Sequence, residues 1–197
     1  MKLEQGKTDK SRANGYFTGK LLVASPFLED ANFAQSVIYV CAHDSHGAIG
    51  LVINKVLSDL TIEGLLKQLG VESFSEMEGV VVNCGGPVEM SRGFVLHTTD
   101  YKTDTTVIVD EYFALTSTLE ILRAIAQKKG PKNFLICLGY VGWSAGQLEQ
   151  EIQENNWTVV SANVDLAFNP CLEEKWKDSF SAIGVDPSIL SLEIGHA

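Results

Sequence analysis

Residues Leu138–Glu149 read LGYVGWSAGQLE, and the fold turns on how this stretch is parsed. The apolar run Phe134 to Leu138 has the character of a strand. The polar residues after Gly146 favour a helix, and three glycines punctuate the join. The expectation is therefore a strand, a glycine bend and a helix of about ten residues. Joins of this kind often hold ligands in α/β proteins, because the first N–H groups of a helix point there unpaired. Here Gly139, Gly142 and Gly146 match neither the dinucleotide pattern G-x-G-x-x-G nor a phosphate loop ending in Gly-Lys-Ser/Thr. Ser144 and Gln147 have capping-box spacing, and Trp143 with Leu148 has the spacing of a hydrophobic staple. Glu149 and Glu151 bring negative charge to the helix start, which disfavours an anionic ligand. The bend holds no obvious nucleophile, base or metal ligand.

Working outward, Lys20–Ala24, Ser36–Cys41 and Ala48–Ile53 read as strands. The last two form a hairpin across the polar turn His43–Gly47. Leu60–Leu69 reads as a helix, with Ile62, Leu65, Leu66 and Leu69 on one face and Gly70 as its stop. Strands follow at 80–83, 93–97 and 105–109, then a short apolar piece at 112–115. A second helix opens with a Ser117/Glu120 capping box, faces the core with Leu119, Leu122, Ile125 and Ala126, and ends at Gly130-Pro131. After the helix that follows Gly146 comes a strand at 157–162. Asn169-Pro170 reads as the start of a helix burying Leu172, Trp176 and Phe180. Asp186-Pro187 reads as the start of a short final helix. The strand-helix alternation from residue 112 onward suggests parallel pairing there, and the N-terminal half reads as antiparallel. The fold class is α/β in the α+β mixed sense: a mixed sheet with helices around it, in one domain over residues 16–197, preceded by a basic tail over residues 1–15.

Charge narrows the partners. The chain of 197 residues carries a formal net charge of −10, although residues 1–20 hold five bases against two acids. An acidic body repels phosphate backbones, so nucleic acid is not an expected partner. No run of 18 apolar residues exists to span a membrane, and no apolar segment follows the N-terminal lysines. Cys41, Cys84, Cys137 and Cys171 are widely spaced with no C-x-x-C pair, which suits a cytoplasmic location.

Each candidate site also has a plainer role. Gly85-Gly86-Pro87 bends sharply after a strand, and Arg92 and His97 beyond it would suit an anion. The plainer reading pairs Arg92 with a surface carboxylate and leaves His97 at a strand end. Cys84 sits beside that bend without a neighbour that would lower its pKa. Cys41, His43 and His46 approach zinc-ligand spacing but lack a second ligand pair, so no metal is expected. Asn54 follows a strand, where it caps a turn or contacts a ligand. No G-x-S-x-G elbow occurs.

Three segments together resemble the YqgE/AlgH family of bacterial proteins: GKLLVASPFLEDANFAQSVIYVCAHDSHGAIGLVIN (19–54), GGPVEMSRGFVLH (85–97) and GPKNFLICLGYVGWSAGQLEQEIQENNW (130–157). The resemblance runs from Tyr16 to about Gly184. It implies a single α/β domain with a bifurcated, partly barrel-like mixed sheet flanked by helices, and no agreed enzymatic activity. It carries no catalytic residue and no cofactor.

The reading is of a protein that binds rather than transforms: a regulatory or interaction protein whose two glycine bends line a common groove. Its candidate ligand-binding residues are Asn54, Gly85, Gly86, Arg92 and His97 around the first bend, and Gly139, Gly142, Trp143 and Gln147 around the second. The expected partner is a protein or an unidentified small molecule. The alternative is a small-ligand binder or enzyme using Arg92, His97 and Gln147. A DNA-binding regulator ranks third.

Overall fold

The computed structural model describes residues 16–72, 77 and 79–189; the basic tail lies outside them. Strands β1 (Lys20–Ala24), β2 (Val37–Asp44) and β3 (Gly47–Val52) form an antiparallel meander. The β2–β3 hairpin is as expected, but β2 runs on through His43, which is buried rather than in the turn. Strand β4 (Val56–Thr61), half exposed and without an alternating pattern, leads into helix α1 (Ile62–Gln68). The Thr61 hydroxyl caps α1 by accepting from Gly64 N–H at 3.1 Å, and Gly70 takes the left-handed position after it.

Next come β5 (Val81–Cys84), β6 (Val88–Thr98), β7 (Val107–Ile108), β8 (Phe113–Thr116) and helix α2 (Leu119–Ala126). Helix α2 buries Ile121, Leu122, Ile125 and Ala126, and leaves Leu119 exposed. The expected Ser117 box is not formed: the N-cap is Thr118, which makes no side-chain cap bond. The helix also stops short of Gly130-Pro131, because Lys128 already adopts a left-handed φ of 57°.

Strand β9 departs most from expectation. It spans Phe134–Ser144 without a break, so Gly139 and Gly142 lie inside a strand and the bend falls only at Gly146. Helix α3 (Gln147–Gln153), strand β10 (Trp157–Ser161), and helices α4 (Val164–Ala167) and α5 (Lys175–Ser181) complete the order. No helix starts at Asn169-Pro170. The Asn169 side chain accepts instead from Cys171 N–H at 2.9 Å, which makes a turn, and Leu172 is only half-buried. Pro187–Ile189 forms a single 3-10 turn.

Among the described residues the sheet runs β10-β1-β2-β3-β9-β6-β8-β7, with β5 and β4 branching from β9. The parallel tail expected from the sequence is not what forms. β10 pairs antiparallel with β1, β8 pairs antiparallel with β6, and the parallel pair is β5 with β9. Local alternation of strands and helices misleads here because α3 carries the chain from the middle of the sheet to its far edge. A flat sheet would set β9 and β10 about 19 Å apart, four strand spacings. Yet the rings of Trp143 on β9 and Trp157 on β10 lie 6.3 Å apart. The sheet therefore curls into a half-barrel, and the fold is mixed α+β.

Side chains of β1 and β2 alternate between two apolar layers. Leu21, Val23, Val37 and Tyr39 pack with α4 and α5, and Leu22, Ala24, Ile38 and Val40 pack on the α3 side. A third cluster lies beneath α1 and α2. Trp176 pins α5 to β1 through its indole N–H to the Ala24 carbonyl at 2.8 Å. Lys175 is fully buried and donates to the carbonyls of Ile53 at 2.9 Å and Ala167 at 2.7 Å. Burial pulls its pKa down to about 8, against a partial opposing pull from Cys137. The unfolded chain therefore holds more protons than the fold between pH 8 and 10.5, so this group's contribution to stability rises with pH across that window. Urea unfolding of wild type and Lys175→Met should show their stability difference moving in favour of wild type from pH 8 to 10. A difference that is flat with pH would mean that Lys175 stays charged in the fold, with the pKa of a free lysine.

Candidate functional site

Strand β9 has different partners along its length. Ile136, Cys137 and Leu138 pair with β5 and also with β6, so those strands occupy opposite edges of β9. The chain leaving β5 must then cross β9 to reach β6, and Gly85-Gly86-Pro87 makes the crossing. A Cβ on Gly85 would lie 2.4 Å from the Gly139 carbonyl oxygen, and one on Gly86 would lie 2.2 Å from the Tyr140 carbonyl carbon. Gly86 and Gly139 also have φ of +154° and +74°, which suits glycine alone. The two glycine motifs thus meet, but backbone against backbone, leaving no cavity between them.

A groove of about 460 Å³ opens beside this crossing. Pro87 and Val88 form one wall, Val141, Gly142 and Trp143 the floor, and Gln147 and Glu151 of α3 the other wall. Phe33 and Trp157 close its end, with Asp30 and Glu154 at the rim. Glu151 organises the helix side. One carboxylate oxygen accepts the indole N–H of Trp143 at 2.9 Å and that of Trp157 at 2.8 Å, and the other accepts from the Gln147 amide at 2.9 Å. Gln147 in turn accepts from Ser144 N–H at 3.0 Å, but the expected capping box does not form: the N-cap of α3 is Gly146, in the left-handed region and without a side-chain cap bond, and Ser144 still belongs to β9. Trp143 and Leu148 share one apolar cluster, but as strand against helix: with the N-cap at Gly146, Trp143 does not hold the N′ position of a staple.

Of the candidate residues, the groove collects Gly142, Trp143 and Gln147. Gly85, Gly86 and Gly139 are spent on the crossing. Asn54 is a structural bridge, accepting from Val37 N–H at 2.8 Å and donating to the Gln35 carbonyl at 2.9 Å. Arg92 is exposed, pairs with Glu89 at 3.1 Å and lies over the Phe94 ring. His97 is fully buried, 2.8 Å from the Thr98 carbonyl and 2.9 Å from the Thr116 hydroxyl. Because a carbonyl only accepts, Nδ1 carries a proton. Burial lowers the pKa of the ring, which favours the neutral imidazole. Arg92, His97 and Gln147 therefore do not converge.

The zinc-like trio is dispersed in role. Cys41 donates to the Tyr39 carbonyl, His43 bridges Phe17 N–H (3.1 Å) and Glu149 (3.2 Å), and His46 sits exposed beside Asp44. Among the described residues no His, Cys, Asp and Glu group is placed to hold a metal. Burial pushes the Cys137 thiol up to about 12 and Cys41 higher still, so both act as small apolar side chains.

Residues 21–188 match the family described as AlgH-like. The chain belongs to that family. It is 45% identical to a UPF0301 protein of Methylobacterium sp. strain 4-46 over 95% of this chain and 93% of that one. It is also 45% identical to a UPF0301 protein of Rhodospirillum rubrum, over 93% and 95%. Among solved structures, the AlgH protein of Pseudomonas aeruginosa superposes with a TM-score of 0.75 at 35% identity, covering 99% of this chain and all of that one. A Corynebacterium diphtheriae protein shares the fold at 20% identity, with a TM-score of 0.69 over 89% of this chain and 87% of its own.

Sequence reasoning missed Glu151, Trp157, Phe33, Asp30 and Glu154. The spacing of Gln147 to Glu151, one helical turn, was the one available signal. The crossing predicts a sharp contrast between two glycines. Gly86→Ala should cost more than about 4 kcal/mol in urea unfolding, because a methyl group cannot enter the crossing. Gly142→Ala should change stability by less than about 1 kcal/mol, since its Cβ would meet nothing closer than 3.5 Å.

Proposed function

We propose that this AlgH-like chain is a cytoplasmic, non-catalytic regulatory protein that works by holding a partner protein in the groove between Pro87-Val88 and α3. The observation that carries the reading is the division of labour among polar groups. Asn54, His97 and His43 are bonded into the fold at separate places, so these candidate polar residues do not face one another as a nucleophile, a base and an anion-stabilising donor would. The groove instead offers aromatic and apolar walls with polar groups at the rim, the composition of a recognition surface. A cytoplasmic location is supported by the use of Cys41 and Cys137 as packing residues. No helix among the described residues is long and apolar enough to cross a membrane. The acidic body remains the argument against DNA.

Gly142→Leu tests this reading, because the added side chain would project into the groove from a position with room for it. Tagged wild-type protein incubated with cell extract should retain a specific band that Gly142→Leu loses at unchanged melting temperature. Equal retention by both proteins would refute the groove as the binding surface. A metabolite that raises the wild-type melting temperature but not that of Gly142→Leu would turn the reading toward a small ligand.

A further inference from the structure

The groove borders a strand edge whose ladder stops early. β6 pairs with β9 as far as Val88 opposite Tyr140, and from Val141 to Ser144 the paired strand is β3, on one edge only. Backbone groups of a strand alternate between its edges with a period of two. Tyr140 faces the β6 edge, and Ser144 turns its N–H to Gln147 in the groove. Gly142, between them, therefore presents its N–H and carbonyl to the groove. The chain that would have covered this rung is committed elsewhere, because Gly86 lies over Tyr140 and Gly139 in the crossing. With no side chain, Gly142 also lets another backbone approach closely.

The charged side chains that line the groove have one sign. Asp30, Glu151 and Glu154 line the groove, and no lysine or arginine does. Glu151 and Glu154 are bonded by neutral amides and indoles, and no salt bridge among the described residues engages them. Lys55 lies near Asp30, outside the groove lining, and donates to the Asn32 carbonyl, so the two glutamates on α3 and at its end are the anionic pair farthest from a cation. Phe33, half-buried at the end of the groove and edge-on to Trp157, supplies an aromatic surface for a cation.

Resting on the groove reading above, we propose that the partner presents an extended segment bearing a lysine or arginine. The segment adds as a short strand at the Gly142 edge of β9, and its cation lies between Glu151, Glu154 and the Phe33 ring. Main-chain bonds to the edge give affinity, and the carboxylates choose the side chain.

The test is a titration of 15N-labelled protein with three probes: a capped hexapeptide alternating valine and lysine, the same peptide with glutamate for lysine, and spermidine. The Val/Lys peptide should shift the Gly142 amide and the indole N–H signals of Trp143 and Trp157 saturably. The glutamate peptide should bind at least about tenfold more weakly. Glu154→Gln should weaken the Val/Lys peptide several-fold, and Asp104→Asn, in an exposed turn away from the groove, should not. Spermidine shifting the indoles as strongly as the peptide would overturn the strand-edge part. Equal binding of the glutamate peptide would overturn the cation. In either case a partner band lost from Gly142→Leu would leave the groove reading intact, whereas a retained band would remove both.

Discussion

The contact on which this molecule depends is one backbone laid across another: Gly85-Gly86 over Gly139-Tyr140. Two strands flank β9 on opposite edges and are joined by three residues, so the connection has no route except over the strand itself. At that distance a single Cβ would sit on a peptide group. The crossing forces β9 to change as well. Before it, Leu135 and Cys137 face the α4/α5 layer and Ile136 faces the α1/α2 layer. Beyond it, Tyr140 faces α4/α5, and Val141 and Trp143 face α3. The alternation has slipped by one residue, which is the effect of a bulge, and Gly139 with its positive φ is where the slip occurs.

That slip makes the second half of β9 part of the half-barrel and gives the bifurcated sheet its branch point. It delivers Trp143 to the inside of the curl, where Trp157 arrives from the other end of the sheet. Glu151 then ties the two indoles together with one oxygen atom. Buried indole N–H groups without partners are costly, so the curl is favoured where this carboxylate stands between them. The groove follows from the same geometry: the crossing loop forms one side, α3 the other, and β9 the floor.

How far the sequence could be read differs from element to element. Helix α1 was legible because cap, apolar face and glycine stop agree within ten residues. The β2–β3 hairpin was legible for the same local reason. The LGYVGWSAGQLE stretch was misread because glycine signals a bend in isolation, whereas Gly139 serves a neighbour 53 residues earlier in the chain, Gly86. His97 looked available beside a bend, but β6 carries it into the interior, where Thr116 from β8 meets it. Trp143 and Gln147 stood out in the sequence because the Trp143–Leu148 and Ser144–Gln147 contacts that hold them join near neighbours, although neither forms the staple or cap that their spacing suggests. Their partners Trp157 and Phe33 lie across the curl and left no trace in local spacing.

From the sequence alone came the mixed α+β class, the family, the acidic character, most strand and helix positions, and the absence of any recognised catalytic motif. These depend on hydrophobic periodicity, turn chemistry and residue type, which act over a few positions. Tertiary structure alone decided that the two glycine motifs serve one crossing, that the sheet curls, and which polar residues meet at the groove. Those outcomes depend on contacts between segments tens of residues apart, where excluded volume at one peptide group dictates what the other may be.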